Sequence, residues 1–311
     1  MLCGRLSFLS VIYLGALVPV FVHADEASLV AALQKTYSAC VGIDDSLSDL
    51  KKMAGINTAI TGVGTGLGVG ATVVGVVKNQ KDELRKKLNN DLLNLKNMTD
   101  QEFLQFLGDI SRYKEYNETL EKLDKANQQS KSLGNWRTGL LAGNTATNVA
   151  GAIIASKNRT NGDLQNQINN CKTAIGELRR ARARARIDKI DISEANAIIS
   201  ACEGFETVDI SKINTRAKGA MVSSIVGATT GLAGTITSGV ANSESVRKDN
   251  IDVSQKTDAD WNKEKNLNTT ANVLAGASTV ASATATVFNA TQISAIKKVA
   301  EVATKCTEVL K

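Results

Sequence analysis

The sequence predicts an all-α protein built from two tandem copies of a long antiparallel helical hairpin, with helix contacts made by Gly, Ala, Ser and Thr and with disulfide bracing. Three observations lead to this fold class. The chain contains one proline, and its scarcity favours long uninterrupted helices. Four uncharged segments rich in small residues occur as two pairs. A cysteine lies outside each segment, so that each pair is flanked by two cysteines.

The N-terminus has the pattern of a signal peptide, which we expect to comprise residues 1–24. Arg5 precedes an apolar run, and Val22-His23-Ala24 fits the small-x-small rule for cleavage. The alternative is an uncleaved N-terminal anchor. Cleavage predicts an exported protein, located in the periplasm or cell envelope or secreted.

The mature chain would lack histidine, because His23 is the only one in the sequence. This excludes a Ser-His-Asp or Cys-His triad and a His-ligated zinc site. Any enzyme would need Asp, Glu or Lys chemistry, and no carboxylate pair stands out from the helical charge pattern. We therefore expect no enzymatic activity, no catalytic or metal-ligating residue, no cofactor and no small-molecule substrate.

An internal duplication explains the order of the segments. Ser38-Ala39-Cys40 recurs as Ser200-Ala201-Cys202, and Leu141-Ala142-Gly143 recurs as Leu274-Ala275-Gly276. Chance similarity between low-complexity segments is the alternative. The predicted repeat units are residues 25–185, with a longer helical insertion at 78–137, and residues 190–311. The four small-residue segments are 54–77, 138–156, 219–242 and 269–290.

The stretch GVGTGLGVG at 62–70 alternates with a period of two, as a strand would, but the other three segments place a small residue at every fourth position. That spacing puts small residues on one helix face, where another helix can approach closely. It resembles glycine-zipper helices of membrane-active proteins in general, a resemblance that assigns no functional residue. Gly64 and Gly68 lie outside the stripe. The predicted helix-contact glycines are Gly62, Gly66, Gly70, Gly139, Gly143, Gly151, Gly227, Gly231 and Gly239.

Four cysteines in an exported chain favour two disulfides. If Gly66 faces Gly143 and Gly231 faces Gly276 in antiparallel helices, the cysteines of each unit reach the same level. This predicts Cys40–Cys171 and Cys202–Cys306. Pairing of Cys40 with Cys306 and of Cys171 with Cys202 respects the same symmetry and stays open.

The small-residue segments predict helix–helix and membrane association, with membrane lipid, another envelope protein or a second copy of the chain as partner. Segment 54–77 is long enough to cross a bilayer, and basic residues follow it at Lys78, Lys81, Arg85, Lys86 and Lys87. Asparagines in segments 138–156 and 269–290 favour the alternative, a soluble periplasmic or secreted bundle that binds a protein. A stored soluble bundle that opens and inserts into a membrane satisfies both patterns.

The run RRARARAR at 179–186 has two interpretations. Alternating Arg and Ala spreads charge around a helix, which suits an anionic surface such as lipid headgroups. The alternative is a solvated helix end and linker. Nucleic acid is not an expected partner, because no aromatic residues are interleaved with the arginines. The candidate surface contacts are Arg179, Arg180, Arg182, Arg184 and Arg186.

Overall fold

The computed structural model describes residues 24–96, 110–160, 162–249 and 255–311, and these ranges contain helices and connecting turns but no strand. The expected signal peptide lies outside them except for Ala24, as do residues 97–109 of the insertion. A 3₁₀ helix covers Glu203–Thr207. The α-helices are α1 Ala24–Cys40, α2 Ile43–Lys96, α3 Ile110–Lys157, α4 Gly162–Ile187, α5 Ser193–Cys202, α6 Ser211–Ala241, α7 Glu244–Arg247 and α8 Asp258–Leu310.

The chain folds into two compact units. One, the disulfide unit, comprises the described residues of 1–42 together with 166–206 and 302–311. The other, the bundle unit, comprises 43–165 and 207–301, apart from the residues not described. These units do not coincide with the predicted repeats 25–185 and 190–311, because each unit contains residues from both ranges.

Four long helices, α2, α3, α6 and α8, form the bundle unit. Gly64 of α2 lies beside Thr147 of α3, while Gly151 of α3 lies beside Thr61 of α2, so these two helices run antiparallel. The same reversal relates α3 to α6, α6 to α8, and α8 to α2. The helices therefore alternate in direction around one shared axis, as in an up-down-up-down four-helix bundle.

A seven-residue repeat defines the buried face of each bundle helix. In α2 the buried positions follow one another in steps of three and four: 54, 57, 61, 64, 68, 71, 75 and 78. In α6 they are 213, 217, 220, 224, 227, 231, 234, 238 and 241. A repeat of 3.5 residues is the spacing of left-handed coiled-coil packing. The inward-facing residues thus form continuous seams along the helices.

The glycine stripe expected from a spacing of four is wrong in part. A Cβ placed on Gly62, Gly66, Gly139 or Gly239 would have no neighbour within 4 Å in the described part of the chain. Gly64 and Gly68, which the stripe left unexplained, are buried against Thr147 and Thr279. The physical reason is the period, because residues four apart drift off a seam that repeats every 3.5 residues.

The other five glycines of the expected stripe do approach neighbouring helices. Gly70 and Gly143 lie beside leucine side chains of the partner helix, and a Cβ on Gly227 would sit 2.7 Å from Asn148 Oδ1. A Cβ on Gly231 would sit 2.6 Å from Thr145 Oγ1, and one on Gly151 would sit 2.9 Å from the methyl carbon of Thr61 and 3.1 Å from Ser224 Oγ. Six further glycines of the bundle helices, which the predicted stripe does not include, also approach a neighbouring helix: Gly64, Gly68, Gly75, Gly134, Gly219 and Gly234.

The disulfide unit has a conventional apolar core. Leu29, Ile175, Leu178 and Phe205 are buried there, while charged side chains such as Lys35 lie outside. The two disulfides join Cys40 to Cys171 and Cys202 to Cys306, the pairs expected from the spacing. They close sequence separations of 131 and 104 residues.

Matched alanine substitutions on α2 test the packing. Gly64→Ala and Gly68→Ala should lower the free energy of unfolding, because the new methyl group at position 64 would lie 2.5 Å from Thr147 Oγ1 and that at position 68 would meet Thr279. Gly62→Ala and Gly66→Ala should raise it by about 0.5–1 kcal/mol each through helix propensity. Denaturant unfolding measures all four. The reverse order would show that the seam is assigned to the wrong helix face.

Non-reducing peptide mapping tests the disulfides, and should recover Cys40–Cys171 and Cys202–Cys306 as separate linked peptides. Replacing Cys202 and Cys306 together by serine should destabilise the chain by about 4–5 kcal/mol in the chain-entropy treatment. Recovery of a Cys171–Cys202 peptide from native protein would contradict the pairing.

Candidate functional site

An apolar belt surrounds the bundle unit at the level of the four small-residue segments. We define the belt as the exposed residues of 54–77, 138–156, 219–242 and 269–290, which lie side by side because of the antiparallel register. These segments contain no charged residue. The large apolar side chains exposed there are Ile56, Val63, Val69, Val73, Val76, Val77, Val149, Ile153, Val222, Ile225, Val226, Leu232, Ile236, Val240, Val273, Val280 and Val287.

Polar side chains occupy the interior of the bundle at the same level. Asn144 donates to Ser278 Oγ at 2.9 Å, and Asn148 donates to Ser282 Oγ at 2.8 Å. Asn57 donates to Asn289 Oδ1 at 3.0 Å. These hydrogen bonds link α3 and α2 to α8. We call this set of buried amides and hydroxyls the polar axis.

The belt and the polar axis reverse the usual arrangement of a water-soluble helical bundle, which buries apolar residues and exposes charges. From the sequence, Asn144, Asn148 and Asn289 argue against contact of their segments with lipid. In the structure all three are fully buried. Asn272 is half-buried and accepts a hydrogen bond from Arg137. The three fully buried asparagines therefore do not meet the surroundings of the belt, whereas Asn272 does so in part.

Three stretches of the described chain are long and apolar enough to cross a membrane: Asp25–Asn94, which covers most of α2, and the helices α6 and α8. The shortest uncharged segment, 138–156 on α3, rises by roughly 28 Å at the α-helical spacing. This is close to the hydrocarbon thickness of a bilayer, about 30 Å. The belt thus has the height of a bilayer core on all four helices.

A buried ionic cluster lies beyond one edge of the belt. Its centre is Arg85, which donates to Asp82 Oδ1 at 2.8 Å, to Glu264 Oε1 at 2.6 Å and to Asp249. Lys78 donates to Asp82 Oδ2 at 2.6 Å. The ionic cluster comprises Lys78, Asp82, Arg85, Arg247, Asp249, Lys256 and Glu264.

Neutral side chains of α3 form hydrogen bonds with the ionic cluster. Arg85 Nε donates to Asn127 Oδ1 at 2.6 Å, and Arg247 Nη1 donates to Ser130 Oγ at 2.8 Å. Ser130 in turn donates to Asp82. Residues from α2, α3, α8 and the chain around α7 are thereby joined in one network, which fixes the register of the helices at this end of the bundle unit.

Burial dominates the electrostatics of the cluster. It lowers the pKa of Lys78 from its ordinary value of 10.5 to about 8, despite the attraction of Asp82. Burial alone would raise the pKa of Asp82, but Lys78 and Arg85 outweigh it and hold that pKa below the ordinary value. Burial also lowers the pKa of Arg137 to about 10. This guanidinium donates hydrogen bonds to Ser238 and Asn268, between the ionic cluster and the polar axis.

Two of the basic residues that follow segment 54–77 are buried rather than exposed at the end of a span. Lys78 and Arg85 are fully buried and paired with carboxylates, so they are not free charges at the end of a span. Arg247 is buried in the same way. Sequence reasoning missed this network because its members are distant in the chain. The one signal for it is the seam spacing, which continues through Lys78, Asp82, Arg85 and Asn89.

The arginine run belongs to α4 in the disulfide unit. Arg179 pairs with Glu206, Arg182 donates to Asn196 Oδ1 at 3.2 Å, and Arg184 donates to Ser28 Oγ at 3.3 Å. Arg180 and Arg186 are exposed. The alanines at 181 and 185 are buried. The run is therefore part of a packed helix whose outer face is basic.

Three cysteine sulfurs, those of Cys40, Cys171 and Cys306, lie within 4.8 Å of one another. All three belong to disulfides, so they offer no thiolate as a metal ligand in this state. Comparisons of the chain with protein-family models, with curated proteins and with solved structures find no match.

The pKa of Lys78 predicts a pH dependence of stability. Between about pH 8 and pH 10.5 the unfolded chain holds a proton on Lys78 that the folded chain has lost, so the free energy of unfolding should rise with pH in this window. Lys78→Met should lack that part of the rise, up to about 3 kcal/mol. Denaturant unfolding across the window measures the difference. The exposed Lys87→Met is the control, and parallel wild-type and Lys78→Met curves would contradict the assignment.

Proposed function

We propose that the chain is an exported, non-enzymatic membrane protein whose bundle unit inserts into a bilayer through the apolar belt. The observation that carries this proposal is the reversed arrangement of the bundle: uncharged apolar residues outside, amides and hydroxyls inside. In water such a surface would expose apolar side chains on four helices at once. In lipid it is the favourable arrangement, because lipid tails solvate apolar residues and polar groups find partners on other helices.

The distribution of the belt favours lipid over a protein as the occupant. Exposed apolar residues occur on every bundle helix, for example Val63 on α2, Ile153 on α3, Leu232 on α6 and Val280 on α8. A protein partner would cover one side of the bundle, whereas lipid surrounds it. Trp136, which is 66% exposed, lies just outside segment 138–156, where aromatic residues concentrate at membrane interfaces.

Small residues in the seams support the same function. Without a hydrophobic force between helices in lipid, association depends on close packing and on hydrogen bonds across helices. Gly64, Gly68, Gly227 and Gly231 allow that close approach, and the polar axis supplies the hydrogen bonds. We propose that a tandem duplication produced these paired helices, since Ser38-Ala39-Cys40 recurs as Ser200-Ala201-Cys202 and Leu141-Ala142-Gly143 recurs as Leu274-Ala275-Gly276.

A matched pair of aspartate substitutions on α2 tests the proposal. Val63, at mid-belt, is 58% exposed, and Leu84, beyond the belt on the same helix, is 41% exposed. Wild type and Leu84→Asp should stay with membranes after carbonate extraction. Val63→Asp should shift toward the supernatant, because a charge at mid-bilayer costs about 2.5–3.5 kcal/mol.

The alternative outcomes are distinct. Complete release of the wild type by carbonate, with equal behaviour of both variants, would favour a soluble bundle and contradict integral insertion. Purification as a soluble protein that inserts only when vesicles are added would identify the stored form. Circular dichroism with and without detergent checks that each variant remains helical.

A further inference from the structure

Two buried N–H donors of the bundle unit have no hydrogen-bond partner among the described residues. They are Nδ2 of Asn89, a residue 4% exposed, and Nε1 of Trp261, a residue 6% exposed. A buried donor left without an acceptor costs about 1–3 kcal/mol, and native structures rarely leave one. Two such donors mark a place where an acceptor is expected.

Both residues line the same small cavity. Its volume is about 30 Å³, and its other lining residues are Arg85, Leu123, Asn127, Lys248, Asp249 and Lys256. A cavity of roughly 10–15 Å³ already accommodates one water-sized ligand. The space therefore fits a single small species in contact with donor groups.

The charge around the cavity is positive. The ionic cluster, which supplies Arg85, Asp249 and Lys256 to the cavity lining, contains four buried cations and three carboxylates. Each carboxylate of the cluster already accepts hydrogen bonds from at least two side chains. Lys248 is paired with Asp260 at 2.8 Å. A surplus of buried positive charge thus remains beside the cavity.

Two of these cations lie close to the aromatic ring of Trp261. Lys256 Nζ lies 3.6 Å from the ring centroid, and the guanidinium carbon of Arg85 lies 5.3 Å from it. Two cations at a tryptophan face polarise the indole, which makes its N–H a stronger donor toward an anion. Burial lowers the pKa of Lys256, as expected for a cation that lacks full compensation.

We propose that this cavity binds one small monovalent anion of halide size, held by the N–H donors of Asn89 and Trp261 and balanced by Arg85 and Lys256. Chloride is the abundant anion of this class. Asp249 also lines the cavity, but its two oxygens accept from Arg85 and Arg247, which offset its charge. A water molecule could accept from both donors but would leave the surplus charge in place. The anion site lies beyond the belt and does not depend on membrane insertion.

Tryptophan fluorescence tests the site directly. The full chain has two tryptophans, so Trp136→Phe leaves Trp261 as the single reporter. Bromide and iodide should quench the buried Trp261 along a saturating curve, and chloride should reverse the quench by competition. Gluconate at equal ionic strength should have no effect. Linear quenching, or none, would show that the cavity holds water and would overturn the proposal.

Substitutions at neighbouring positions of α2 separate a specific site from general salt effects. Asn89→Asp places a carboxylate at the cavity and should weaken bromide binding at least tenfold. Asn90→Asp adds the same charge on the exposed side of the helix and should leave bromide binding unchanged. Equal weakening by both variants, or by neither, would overturn the site.

A thermal readout covers the case in which Asn89→Asp does not fold. Chloride should raise the Tm of the wild type by a few degrees over gluconate, because ligand binding to the folded state stabilises it. Trp261→Phe keeps an aromatic ring for Lys256 and removes the N–H donor together with part of the indole, so it should lose most of that increase. An unchanged increase, or stabilisation by sulfate or phosphate without a response to halides, would contradict a halide-sized site.

Discussion

The close approach of four helices through small residues is the constraint on which the rest of the bundle depends. Glycine at positions such as 64, 68, 227 and 231 leaves room only for a threonine, serine or asparagine side chain from the neighbour. Leu141 is the one large apolar side chain that is fully buried within the four segments, and the valines and isoleucines occupy the outer faces of the same helices. The apolar belt is thus a consequence of the packing, because the valines and isoleucines have no interior to fill.

Polar contacts then determine the register that small residues alone leave open. Stripes of glycine and alanine can slide past one another with little change in contact. In the observed register Asn144 pairs with Ser278 and Asn148 with Ser282. A shift of one turn would keep one asparagine beside a serine and bring the other opposite Leu274 or Thr286, so the two pairs together favour the observed register. At the end of the bundle unit, hydrogen bonds from Arg85 to three carboxylates also favour this register. Specific register in this bundle therefore depends on hydrogen bonds more than on side-chain shape.

The sequence predicts the helices and their alignment better than it predicts their rotation. Pairing Gly66 with Gly143 and Gly231 with Gly276 aligned the helices closely enough to favour the two disulfides that the structure contains, although Gly66 itself faces outward. The spacing of four selected the wrong face because a single segment of about twenty residues contains too few turns to distinguish it from 3.5. Gly64 and Gly68 indicate the face of α2 that is buried. Aligning them with the inward-facing asparagines of the other segments would have identified that face.

The ionic cluster was beyond the reach of sequence reasoning for a different reason. Arg85 and Glu264 are 179 residues apart, and each has the appearance of an ordinary charge on a polar helix. Their significance follows from the seam itself, which continues without a break from Gly75 to Lys78, Asp82 and Arg85. The same heptad positions that hold glycine within the belt hold charged residues beyond it. In lipid a buried charge network at mid-bilayer would be costly, whereas at the edge it is tolerated. The change from glycine to arginine along one seam therefore defines, from the inside of the bundle, the same boundary that the belt defines from the outside.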